Sequence, residues 1–348
     1  MDHRSTMRSF IPDPSRRVLM VYISILIFSF IDMIHRFLLF TMGYRSRRDD
    51  VTQVYFPMAR GVLGGGDLYI VQWDNRPPLF QFLNIGVGAT GEYMLVFYLL
   101  LAVANTVTAY LIYRLTSKHY LENVGLLAAI LYIFALPIAG GVVIGARPFA
   151  NILLLASLIV TSPMTIGLFL AAAALFHQYA ILATPAVLLY HHIFNTKNID
   201  VMWLGRFTVA GLITVSLSYA FVAVIWGSDS LIAGIRYTVL GAGEYVTQER
   251  PHSIISNPVI WLGNEWETVR TQSLYYIFSG VAIYAWYRRR SGRNPKHDDV
   301  DYSVPVFVVA VVALSLPRLI RNAQLYRLLP LPFVMILSAV GLMLFFRN

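Results

Sequence analysis

The chain has 348 residues, 57% hydrophobic and only 13% charged, with a net charge of +9 and no cysteine. Soluble domains carry roughly 25% charged residues, so this composition excludes a water-soluble enzyme, a disordered chain and a disulfide scaffold. The apolar residues gather in long runs, which predicts an all-α, polytopic membrane protein, and basic residues in such a chain record topology rather than nucleic-acid binding.

A spanning helix needs about 20 mostly apolar residues. The first such run, Val18 to Met42, follows Arg4, Arg8, Arg16 and Arg17 without a small-residue cleavage site. It reads as a retained span with the N-terminus in the cytoplasm. A non-membrane stretch, residues 43–84, forms the first external loop. The next spans are expected near Glu92 to Leu115, Val124 to Ile144 and Phe149 to Val160. Met164 to Phe194 is too long for one span and carries His177-Gln178 in its middle, so it reads as a hairpin of two short helices. A span near Val209 to Trp226 leads to a second external loop, 227–272. The last spans fall near Ser273 to Tyr287, Val304 to Leu316 and Leu328 to Phe346.

About ten spans through a cell membrane place both termini in the cytoplasm, in a single transmembrane domain, 1–348, with no soluble C-terminal domain. They also collect Arg114/Lys118, Lys197/Arg206 and the cluster from Arg288 to Lys296 on the cytoplasmic side.

Some arginines break that pattern. Arg76 falls in the first external loop, Arg147 in a short external turn, and Arg318, Arg321 and Arg327 between the last two spans. Arginine beside a span works against insertion polarity, whereas a phosphate group pairs with guanidinium in a bidentate way. These five are the candidate phosphate ligands.

The first external loop is the most informative segment. Val51, Val54, Tyr55, Met58 and Val62 recur at helical spacing, predicting an amphipathic helix lying in the membrane interface, kinked by Pro57 and ended by Gly64-Gly65-Gly66. Asp49 and Asp50 stand at its N-terminus, where a carboxylate caps a helix or serves as a base. Pro77 and Pro78 stiffen the backbone beside Asp74 and Arg76.

Together these residues resemble the GT-C membrane glycosyltransferases, and within them the protein O-mannosyltransferase and aminoarabinose transferase group. The resemblance rests on an aspartate after the first span, Tyr55, Ala59-Arg60, the string Gly65-Gly66-Asp67-Leu68-Tyr69, and Asp74-Asn75-Arg76-Pro77-Pro78-Leu79. It covers residues 49–84, with fainter echoes at Arg147-Pro148, in the short hairpin and from Arg321 to Pro332. Two departures stand out: Tyr55 is five residues after Asp50 where four is usual, and Arg76 replaces the commoner lysine.

The resemblance implies a GT-C-like fold and transfer of a sugar from a polyprenyl-phosphate donor to a hydroxyl of a protein, glycan or lipid at the external face. It implies Asp50, or else Asp49, as general base. Tyr55, Asp74 and His177 are expected to contact substrate. The leaving group is already a stable phosphate anion, so the chemistry calls for cations rather than a general acid, and a single base opposite the phosphate predicts inversion. No cofactor or metal is required, although the adjacent carboxylates of Asp49 and Asp50 have the oxygens for a divalent cation. A flippase for lipid-linked sugars and a non-catalytic subunit of a glycan assembly complex are the rival readings. A transporter should show two related halves with interrupted helices, and no such symmetry is present.

Overall fold

The computed structural model describes residues 50–139, 144–194, 199–240, 258–291, 303–317 and 327–347, together with isolated positions between 23 and 42. Among the described residues every regular element is helical. Ile23, Leu26, Ile27, Phe30, Ile31, Ile34 and Leu38 are helical and turn apolar side chains outward, the pattern of a helix facing lipid.

A π-helical turn, Val51–Tyr55, runs directly into α1, Phe56–Leu63. Pro57 thus follows the π-helical turn and falls in the first turn of α1, at the point where the helix changes its hydrogen-bond pattern. Gly64 ends α1 as expected. The stripe turns inward rather than onto lipid: Val51, Tyr55 and Met58 are buried, and Val54 and Val62 pack partly buried against protein. Burying side chains of this size contributes roughly 1.5–3 kcal/mol each, which anchors the segment to the bundle.

Pro77 is extended and Pro78 opens α2, Pro78–Gly88, so the two prolines set the direction in which the helix leaves the loop. After Gly91, at φ 79°, come α3, Tyr93–His119, and α4, Glu122–Ala139. Next are α5, Arg147–Ile159, and α6, Pro163–Phe176, each with proline in its first turn. The hairpin breaks where the sequence suggests: α6 stops before His177, a 3₁₀ turn spans Gln178–Ala183, and α7 runs Thr184–Phe194. At about 1.5 Å per residue neither α6 nor α7 reaches across a hydrocarbon core of about 30 Å.

Asp200 caps α8, Val201–Ile235, accepting from the Trp203 backbone N–H at 2.6 Å. Gly227, at φ 86°, breaks α8 where the span was expected to end, and a π-helical turn, Arg236–Leu240, follows. The stretch 227–272, expected to be a loop, is helical in most of its described part. Helix α9 covers Pro258–Ser291 and so begins well before the expected span. The chain finishes with α10, Ser303–Ser315, and α11, Leu331–Arg347.

Among the described residues, three helical stretches are long and apolar enough to cross a membrane: α3, α4, and α8 with its π-helical continuation. Four more, α5, α6, α10 and α11, are apolar but shorter. The main core joins α3, α4, α5, α6, α7, α10 and α11, with α9 lying along α11 and α8 along α6. Helices α1 and α2 pack over one end of this bundle, against α3, α6 and α8. The N-termini of α3 and α5 and the C-terminus of α6 share that end, tied by ring contacts Phe97–Phe149 and Phe149–Phe176.

Candidate functional site

Arg76 is the centre of the charged groups at this end. Its Nη1 donates to Asp74 Oδ1 at 2.8 Å and to Asn75 Oδ1 at 3.0 Å, and its Nη2 donates to Asp50 Oδ2 at 2.8 Å. The guanidinium also lies over the Tyr55 ring, 4.9 Å from its centroid. Two carboxylates separated by 24 residues thus share one cation. They differ in environment: the Asp74 side chain is fully buried, whereas that of Asp50 is 51% exposed.

The backbone that holds Arg76 is itself fixed. The Arg76 N–H donates to Asp74 Oδ1 at 3.3 Å, and the Tyr69 hydroxyl donates to the Arg76 carbonyl at 2.9 Å. Tyr69 adopts a left-handed backbone at φ 66°, which non-glycine residues rarely take. Its buried ring packs against Gly234, where an added Cβ would stand 3.0 Å from the ring. The strained turn is thereby held by packing and by a hydrogen bond.

A polar chain along α2 extends the site inward. Gln81 Nε2 donates to Asp74 Oδ2 at 2.5 Å, and Asn84 Nδ2 donates to Gln81 Oε1 at 3.4 Å and to the Tyr55 carbonyl at 2.8 Å. The Tyr93 hydroxyl donates to Asn84 Oδ1. Gln81 and Asn84 are fully buried, and sequence reasoning passed over them inside an apolar run. The available signal was two amides one helical turn apart, which share a face.

The sequence-derived candidates fare differently. Asp50, Tyr55, Asp74 and Arg76 come together directly. Arg147 opens α5, and His177 follows α6 at the same end. Asp50 does not cap its helix, since its carboxylate reaches Arg76 and no side-chain cap bond forms. Arg327 is buried, and Asn151, one turn beyond Arg147 on α5, donates to the carbonyl of the next residue, Leu328, at 2.9 Å. Asp49, Arg318 and Arg321 lie outside the described residues.

Electrostatics follow the packing. Burial pushes the Tyr55 hydroxyl above its ordinary range against the opposing pull of Arg76. Burial also works against the charge of Arg76, but Tyr55, Asp74 and Asp50 outweigh it and hold the guanidinium ionised. His177 is held well below the usual imidazole value, first by burial and then by the positive charges of Arg147 and Arg76. It is therefore neutral. Among the described residues no group of three or more His, Asp or Glu side chains is placed to hold a metal ion.

The fold defines a broad class, a helical membrane protein with Asp50, Asp74 and Arg76 clustered at one end of its bundle. No family model, characterised protein or solved structure matches the chain.

Proposed function

We propose that the protein is a membrane glycosyltransferase of GT-C type, transferring a sugar from a polyprenyl-phosphate donor to an acceptor hydroxyl at the external face. The observation that carries this reading is the convergence of Asp50, Tyr55, Asp74 and Arg76 at the bundle end that also bears Arg147 and His177. These are the residue types the reaction needs. Asp50, the exposed carboxylate of the pair, is within reach of an acceptor and serves as general base. Arg76 and Arg147, with Arg318, Arg321 and Arg327, neutralise the departing phosphate, and attack opposite that phosphate inverts the anomeric carbon.

The test is transfer in proteoliposomes supplied with labelled polyprenyl-phosphate sugars. Asp50→Asn should lower turnover at least about a hundredfold while donor binding persists, the usual contribution of a general base. Full activity in Asp50→Asn overturns this base assignment, and loss confined to Asp49→Asn moves the role there. Movement of the lipid-linked sugar across the bilayer without transfer replaces the reading with a flippase.

A further inference from the structure

We propose that His177 is a direct ligand of a phosphate group bound between Arg76 and Arg147, and that the imidazole takes up a proton as the phosphate binds. The inference rests on the reading above only in taking the ligand to carry phosphate. It goes further in naming a ligand and a proton that the reaction scheme does not require.

The argument begins with an unmet bond. His177 Nδ1 is buried, and among the described residues no other residue supplies it a hydrogen-bond partner, the ring's one backbone interaction being with its own residue. A buried ring nitrogen left bare is costly and points to a partner supplied from elsewhere. The residue stands between the end of α6 and the 3₁₀ turn, immediately after Phe176, whose ring stacks on Phe149 at 5.7 Å. Phe149 is two residues past Arg147, so His177 lies beside the N-terminus of α5. That helix is thirteen residues long, and its N-terminus carries the positive end of its dipole.

The charges facing the imidazole agree. Arg147, at the start of α5, and Arg76, in the segment before α2, are the charged groups that act on it. The nearest described carboxylates, Asp50 and Asp74, are both held by Arg76. Two guanidiniums, a helix N-terminus and a bare imidazole nitrogen thus gather at this end of the bundle, and an anion that displaces Asp50 from Arg76 meets cationic donors. A tetrahedral phosphate offers oxygens to all of them at once, which a carboxylate cannot.

Proton uptake follows from the change in field. The neutral state of His177 is enforced by burial and two cations, and a bound anion reverses the second of these causes. Protonated imidazole then donates from both nitrogens. By linkage, phosphate binds more tightly as pH falls, by up to tenfold per pH unit between the free and bound values.

The test uses the full-length chain in nanodiscs. Farnesyl phosphate and inorganic phosphate are the probes, farnesol is the control, and wild type is compared with His177→Asn and His177→Ala between about pH 5 and pH 8. Asparagine keeps a donor near the Nδ1 position but does not titrate, and taking ratios between proteins cancels the titration of the phosphate itself. The expected result is a several-fold preference of wild type over His177→Asn for farnesyl phosphate at low pH, shrinking as pH rises. His177→Ala should be weaker still. Binding by inorganic phosphate alone assigns the site to a free ion, while competition between the two probes assigns it to a lipid headgroup. A wild-type to His177→Asn ratio that is constant with pH, or neither phosphate probe binding better than farnesol, overturns the proposal. The readout is binding, so failure of sugar transfer leaves this result standing, and transfer with His177-independent binding removes this proposal alone.

Discussion

Asp74 and Asp50 approach the same guanidinium at the same 2.8 Å, yet their removal should cost very different amounts. In Asp74→Asn the side chain keeps its shape, and its oxygen can still accept from the Arg76 N–H and Nη1. It loses the charge that strengthens those bonds, and its new amide confronts Gln81 Nε2, donor against donor. Turning Gln81 over then breaks its bond from Asn84 Nδ2. One weakened charge-assisted bond and one or two unmet buried polar groups sum to about 3 kcal/mol. Asp50→Asn removes an exposed partner, and exposed ion pairs contribute about 0–1 kcal/mol. Denaturant unfolding of both variants in one micelle system, followed by tryptophan fluorescence, measures the difference. Equal losses, or a larger loss at Asp50, would refute the claim that burial rather than distance sets the strength of these pairs.

Two further outcomes follow from packing and protonation. Gly66→Ala places a Cβ 2.1 Å from Val71 Cγ1, a clash that a change of the valine rotamer can relieve, and should cost about 1–3 kcal/mol; Gly167→Ala places one 2.1 Å from the Phe207 backbone carbonyl and should cost more, because α6 and α8 must separate. Unfolding midpoints rank the two, and only the first should be relieved by Val71→Ala. In ligand-free protein, His177 resists protonation when folded and accepts it when unfolded. Stability is therefore fully present above the unfolded imidazole value of about 6.5 and falls below it, by up to about 1.4 kcal/mol per pH unit relative to His177→Asn. Unfolding curves for the two proteins from pH 7.5 down to pH 5 check the sign.

Much of the helical layout could be read from hydropathy because its punctuation is chemical. Glu92, Arg147-Pro148 and His177-Gln178 interrupt apolar runs, and helices begin or end within a residue or two of each. The early start of α9 escaped notice because 258–272 carries Glu265, Glu267 and Arg270, and a charged helix gives no apolar signal. Within the site, the charges of Asp50, Asp74 and Arg76 marked themselves, but their pairing did not. Capping was the local option for Asp50, and a guanidinium 26 residues away competes with it only after α1 and α2 pack together. The stripe from Val51 to Val62 had the right period and an ambiguous destination, since lipid and protein select the same apolar face.

The divided attachment of Arg76 imposes a sequence of events. Its contact with Asp74 is buried, while its contact with Asp50 faces solvent, where an anion can compete for it. An anion that takes Nη2 must dislodge Asp50, so arrival of one reactant and release of a free carboxylate for the other are a single step. Until then the carboxylate is occupied and cannot activate a stray water molecule. On the proposed function, the Asp50 carboxylate becomes free to act only once a phosphate holds Nη2.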